Sequence, residues 1–543
     1  MKTQNRLFAL MAVAFAAASM AFAPSAGAQL TYEQKQQISD NIDAYLANDY
    51  PSKVTYVKVT ADKVIVKGEC AGKGKFLLAE ITPWQDVTEL ATFPYSQKIG
   101  KKQFTIQMDR TVLGREGIDY DRVFSKWAIV KVDGKDQVLD SHARYADDVA
   151  AKASPAPVPL RNKKGFGAGG GDLYFDECKR IDIGSVTMNV YLSKLILPEG
   201  NDFVYGGKSY GLGPEVKKVD NYVSKAGETG IVVSAILLCP VESMFLDPEN
   251  EGGFFTMPNL TTAEAFNNYA AALEFMASRY CSENPGRISH WIMHNEVDMG
   301  LEWTNMGKQP ETRFFDRYVK SMRICYNIVR QYDQNGAILG SYTHNWVDGD
   351  AGYAPKRLLE KNIKYSEREG DFWWGVAYHP YPQDLSAPKF WIDDTRSTYS
   401  LNSDYVTFKN LEVVDAWIKQ PETFYKGTTK RPLFLSENGT NSPSYSPEDL
   451  ALQAAGGAWA WKKTAKLDGI DAIQWHGWTD NRHEFGLRIG LHSFEEGEWG
   501  DLQPKPVWYV WAAAGTDKES EVFDQYLPIL GISSWDEIMN PVK

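Results

Sequence analysis

The sequence predicts an α/β fold, a (β/α)8 barrel preceded by a small β-sandwich-like N-terminal domain. Three observations predict it. After residue 163, apolar strand-like runs alternate with amphipathic stretches eight times. Before residue 150, short runs of alternating hydrophobicity lie between Gly and Asp turns. Between the two lies a proline-rich break, Pro155-Ala-Pro157-Val-Pro159, whose composition favours an extended linker.

The chain starts with an address label. Lys2 and Arg6 precede an apolar run from Leu7 to Ala23, and small residues follow to Ala28. That pattern predicts a signal peptide over 1–28, so the mature protein is expected to be secreted or periplasmic. No later stretch is apolar enough for a membrane span. Ile38, Ile42 and Leu46 form one stripe and predict a helix from Leu30 to about Asn48. Val54–Val59, Val64–Val66, Phe76–Ile81, Phe104–Met108 and Trp127–Val132 read as strands. The helix and strands make up an N-terminal domain over 29–150, and the linker spans 151–162. Trp84 and Trp127 in that domain read as core.

The barrel is expected over 163–515, with a helical tail over 516–543. Its strand runs are Lys164–Ala168, Val186–Leu192, Ile231–Leu238, Ile288–His294, Ala337–His344, Trp374–His379, Leu433–Ser436 and Ala472–Trp475. Helical stretches such as Ala263–Arg279, Phe314–Tyr332 and Pro447–Leu467 fall between them. Active sites of such barrels form at the C-terminal strand ends, so the residues there carry the functional argument.

Composition narrows the chemistry. The chain has 543 residues, with 58 Lys plus Arg against 70 Asp plus Glu, a net charge of −12. That balance gives no bulk attraction to nucleic acid or anionic lipid. Five cysteines cannot all pair, so disulfides do not build this fold. Aromatic residues make up 13%, and 15 of the 17 tryptophans lie from Trp291 onward. This lopsidedness predicts stacking platforms on strands four to eight, with Trp303, Trp346, Trp373 and Trp391 near the long loops as candidates.

Strand four ends in His294-Asn295-Glu296 and strand seven in Ser436-Glu437-Asn438-Gly439. Singly, a glutamate at a strand end is most often a solvated acid. Two on non-adjacent strands face each other across the barrel mouth. Glycoside hydrolysis needs such a pair, one to protonate the leaving oxygen and one to meet the anomeric carbon.

These motifs resemble the large clan of retaining (β/α)8 glycoside hydrolases, over about residues 163–515. The resemblance implies that Glu296 is the acid/base and Glu437 the nucleophile. It implies that Asn295 bonds the sugar 2-hydroxyl. His379-Pro-Tyr381, ending strand six, is similar to the clan's His-x-Tyr, whose Tyr hydrogen-bonds the nucleophile. Trp475, ending strand eight, is similar to the Trp that floors the sugar subsite. Pro504-Lys-Pro506-Val-Trp508 opens the last helix as in such enzymes. Where many clan members carry an arginine near the end of strand two, this chain has Asn189 and Tyr191. Asn189 and His344 are further candidates for binding sugar hydroxyls. The implied partner is a poly- or oligosaccharide, cut by double displacement with a carboxyl separation of about 5–5.5 Å. Neither a metal nor an organic cofactor is expected, since no histidine pair with metal-ligand spacing occurs.

Competing patterns are weaker. Gly165-Phe-Gly167-Ala-Gly169-Gly170 satisfies a dinucleotide fingerprint but lacks a solid strand before it. Gly207-Lys-Ser209-Tyr-Gly211 matches an esterase elbow but sits among further glycines. A serine esterase using Ser209 and a non-catalytic carbohydrate-binding barrel are therefore the alternatives. Glu242, Asp298, Asp480 and Glu484 are spare carboxylates near strand ends three, four and eight.

Overall fold

A computed structural model describes residues 30–167, 175–282, 284–350, 352–484, 486–494 and 502–543. The expected signal peptide and part of the Gly165–Gly170 motif lie outside the described residues. Among the described residues, no helix is long and apolar enough to cross a membrane.

Eight parallel strands close the barrel in sequence order. They are Lys164–Gly167, Ser185–Tyr191, Val232–Leu238, Ile288–Met293, Ala337–Tyr342, Trp374–Tyr378, Leu433–Asn438 and Ala472–His476. Every predicted strand appears within two residues of its expected ends, because each is an apolar run bounded by turn residues. Side chains alternate between the barrel interior and the helix layer. Ser185 and Gln474 meet inside, with Gln474 Nε2 donating to Ser185 Oγ at 3.1 Å. A side chain at Gly165 would collide with both of them, so strand one carries glycine where its neighbours fill the interior. Ile236, Leu238, Ile292, Leu339, Ala377 and Phe434 make the inner apolar core.

The N-terminal domain begins with a helix, Tyr32–Ala47, opened by a capping box of Thr31 and Gln34. Two four-stranded sheets follow. One contains Lys53–Val59, Lys63–Glu69 and Gln103–Asp109, the other Lys75–Ile81 and Lys126–Asp133. Alternate residues such as Val57, Val59, Val64, Val66 and Leu78 point into the space between. Trp127 is buried there, and Trp84 packs on Tyr120 and Phe266.

Phe266 belongs to a barrel helix, so the two parts share a core. The seam is mostly polar and covers the helix Glu311–Tyr332, whose charged residues Arg313, Arg317, Lys320 and Arg323 are buried. Lys320 pairs with Asp86 and with Asp316, the latter at 3.0 Å. Lys126 pairs with Glu369 at 2.7 Å, and Tyr45 donates to the same carboxylate at 2.9 Å. Removing one partner of a buried pair costs about 3–5 kcal/mol, so these contacts lock the domain onto the barrel's flank.

Candidate active site

Strand four does not end smoothly. His294 (φ 61°) and Glu296 (φ 35°) both take left-handed backbone, which non-glycine residues adopt rarely and mostly at functional turns. The first turn throws the His294 ring out of the barrel. It is buried against the helix layer, its nitrogens 3.2 Å from Leu237 O and from Ser321 Oγ. The second aims Glu296 across the mouth. The Glu296 backbone N–H donates to Ser341 Oγ at 3.0 Å, an inward residue of strand five that anchors the turn. Strand seven contains a bulge between Leu435 and Asn438, which places Glu437 beside the mouth.

Strand six supplies the partners of both acids. His379 Nδ1 lies 2.8 Å from Glu296 Oε1. Tyr381 O–H donates to Glu437 Oε1 at 3.2 Å. One donor atom each from Glu296, His379 and Glu437 all lie within 4.8 Å of one another. Burial, and then the charge of Glu437, hold the Glu296 carboxyl above the usual carboxylate range, although the bond to His379 works against them. Burial pulls the other way on His379, but Glu437 and Glu296 keep its imidazole above the ordinary value.

Strand eight adds His476, which its strand-end position marks as a candidate for bonding sugar hydroxyls but whose carboxylate partner the sequence missed. His476 faces the interior, and its Nε2 lies 2.9 Å from Glu484 Oε1. Burial opposes its charge, but Glu437 and Glu484 outweigh it and push the pKa up to about 9. The pairing joins a strand end to a loop eight residues on, which no residue spacing announces. Ser341 was likewise missed; only the alternation of strand five could have flagged it.

The other expected binding residues divide. Asn295 is half-buried on the turn before Glu296, and its carbonyl accepts from Thr304 Oγ1 at 2.9 Å. Asn189 is half-buried on the inner face of strand two, level with Ile236. His344 packs its ring 5.4 Å from Tyr405, and burial lowers its pKa to about 4. Trp475 must be corrected. It is fully buried, its indole N–H donates to Ile489 O at 2.9 Å, and its ring lies 5.3 Å from Trp511. Gln474 and His476 take the two inward positions around it, so alternation sends Trp475 into the helix layer, away from the mouth.

Other tryptophans are buried as well. Trp291, Trp346, Trp374, Trp478 and Trp511 are among the largest fully buried side chains. Trp391 stacks on Trp459, and Trp373 precedes strand six at the opposite end of the barrel. Trp303, in the segment after Glu296, packs beside Phe254 and Phe255.

The spare acids are accounted for. Asp480 is buried in a pair with Lys505 at 2.8 Å. Asp298 accepts from the Thr343 backbone N–H at 2.9 Å, and burial raises its pKa to about 7. Glu242 is exposed. Ser209 lies exposed in the hairpin Phe203–Tyr205/Lys208–Leu212, so the strand-to-helix elbow an esterase needs is missing there.

The fold and site define a class: a (β/α)8-barrel protein with carboxylates facing each other from strands four and seven. Residues 157–538 match the group described as "Family of unknown function (DUF5722)", and the chain belongs to that family. No curated protein sequence matches the chain. Several solved structures of glycoside hydrolases are similar in fold. A family 39 glycoside hydrolase from Bacteroides cellulosilyticus WH2 is 13% identical, with 86% of this chain and 83% of that chain covered and a TM-score of 0.44. A glucosidase from Croceicoccus marinus is 15% identical over 68% of this chain and 71% of its own, with a TM-score of 0.41. Xylanase 10B from Thermotoga maritima is 15% identical over 68% of this chain and all (100%) of its own, with a TM-score of 0.41.

Proposed function

We propose that the protein is an exported, retaining glycoside hydrolase acting on a poly- or oligosaccharide. One observation carries this reading: oxygens of Glu296 and Glu437 lie within 4.8 Å of each other. Retaining enzymes hold their carboxyls about 5–5.5 Å apart, whereas inverting ones leave about 6.5–9.5 Å for a water.

In the first step Glu437 bonds to the anomeric carbon as the glycosidic C–O bond breaks, and Glu296 gives its proton to the leaving oxygen. In the second, water attacks the same carbon, Glu296 takes the water's proton, and the ester to Glu437 breaks. The bond from Tyr381 to Glu437 steadies the carboxylate as nucleophile and leaving group. With His379 Nδ1 facing Glu296 Oε1, the other oxygen is free to carry the proton. Asn295, Asn189 and His344 are the proposed contacts to sugar hydroxyls. The leader over 1–28 supports export.

Incubation with 2-deoxy-2-fluoro glycosides carrying a good leaving group tests the nucleophile. A stable adduct is expected on the peptide containing Glu437, located by mass spectrometry; labelling elsewhere refutes the assignment.

The same three side chains offer one imidazole nitrogen and two carboxylate oxygens, a donor set a divalent cation accepts. Hydrolysis by the double-displacement route needs no metal, so dialysis against EDTA is expected to leave the rate unchanged. Loss of activity on EDTA treatment, restored by a divalent cation, would favour metal-assisted hydrolysis instead.

A further inference from the structure

Four aromatic rings follow one another in successive contact, starting at the end of strand two. Tyr191, an inward residue at the end of strand two, has its ring 6.1 Å from Phe255. Phe255 lies 6.2 Å from Trp303 with the rings 26° apart. Trp303 in turn stacks on Phe254 at 4.7 Å and 19°. The line becomes exposed as it leaves the barrel: Phe254 is 51% exposed, and Leu301 beside Trp303 is 49% exposed. Apolar surface left open to water next to a polar cleft marks a binding surface.

The backbone ties this line to one carboxylate. Trp303 ends a short helix, Gly300–Trp303, that follows the Glu296 turn. Thr304, the next residue, donates its hydroxyl to the carbonyl of Asn295 at 2.9 Å, immediately before Glu296. Phe254 N–H donates to Glu302 O at 2.7 Å, which fastens the loop after strand three to the same segment. Glu437 lies on strand seven, and its carboxylate accepts from Tyr381. The aromatic rings therefore share a chain segment with the proposed acid/base, the group that protonates the leaving oxygen.

We propose that Phe254, Phe255, Trp303 and Tyr191 form a stacking strip for the sugars of the leaving group, so that the substrate carries at least two sugar units on that side of the cleaved bond. This inference rests on the glycosidase reading and deepens it. A pyranose presents an apolar face of axial C–H groups and an equatorial rim of hydroxyls. Flat aromatic rings take the face, and leave the rim to water and to polar neighbours. A small alkyl or aryl leaving group would use none of the outer rings.

The test compares leaving groups on the full-length protein. Trp303→Ala and Phe254→Ala are assayed on 4-nitrophenyl glycosides and on matching hexasaccharides of the gluco, xylo, manno and galacto series. The expected result is a loss of kcat/KM of about tenfold or more on the hexasaccharide and less than about twofold on the aryl glycoside. In a Glu437→Gln background, calorimetric titration of the hexasaccharide should weaken about tenfold when Trp303→Ala is added. Equal losses on both substrates, or no loss on either, overturn the strip. Turnover of aryl glycosides with none of any hexasaccharide overturns it too. The glycosidase reading fails separately, if Glu437→Gln turns over any of these substrates as fast as wild type. Phe254 is mostly exposed, so its variant keeps the fold, and an unchanged melting temperature verifies this.

Discussion

Glu437→Gln is expected to reduce hydrolysis of every substrate by at least ~10⁴-fold, since residues that act as a catalytic unit lose most of their effect when one is removed. The amide keeps the shape and can still face Tyr381, but it cannot form the glycosyl ester. The loss should fall on kcat and kcat/KM together, because nucleophilic attack is made only in the transition state. Oligosaccharide binding should survive, since the substitution removes no sugar contact. The measurement is steady-state kinetics beside calorimetry on the same preparation. A variant that binds and also turns over within tenfold of wild type would place the nucleophile elsewhere.

Glu296→Ala is expected to cost about 10²–10⁴-fold on sugar leaving groups, the usual contribution of a general acid. Substrates with an activated aryl leaving group need no proton and should form the glycosyl-enzyme at a nearly normal rate. Their turnover then stalls at hydrolysis, and azide, which needs no general base, should restore it as glycosyl azide of retained configuration. The pH profile carries the second signature. Glu296 must be protonated to act, so wild-type kcat/KM falls as pH rises through its pKa. Burial and the Glu437 charge raise that pKa, so the fall should lie above the ~4.3 of a free glutamate. Glu296→Ala should lack this alkaline limb on activated substrates. In Glu437→Gln the repelling charge is gone, and the residual limb should move to lower pH. An alkaline limb that persists in Glu296→Ala would assign the acid to another group, with His379 the nearest.

The barrel was readable because each strand is an apolar run that ends in a turn, and the strand order follows the chain. The two glutamates were readable because they end such runs. Tyr381 was readable only through the His-x-Tyr pattern. Its bond to Glu437 depends on how far strand six projects beyond the sheet. Trp475 was misread, since strand ends reveal which residues are near the mouth but not which way each points. Gln474 pairing with Ser185 inside the barrel settles the phase of strand eight, and that phase turns Trp475 outward. The His476–Glu484 pair was invisible for a different reason: a loop can bring any two of its residues together, and no period governs it. Ring order in the line from Tyr191 to Phe254 likewise arises from three separate chain segments.

Sequence by itself determined the barrel, the small β domain before it and the two acids that face each other, since hydrophobic period and strand-end position are local properties. Tertiary structure alone decided what covers the charged face of the helix Glu311–Tyr332. Its amphipathic pattern predicts that face in water. In the protein it is buried, because Lys320 meets Asp86, and Arg313 meets Glu249 at 2.6 Å. Charge can leave water only where a partner from a distant segment replaces the solvent, and no pattern within the helix itself records that partner.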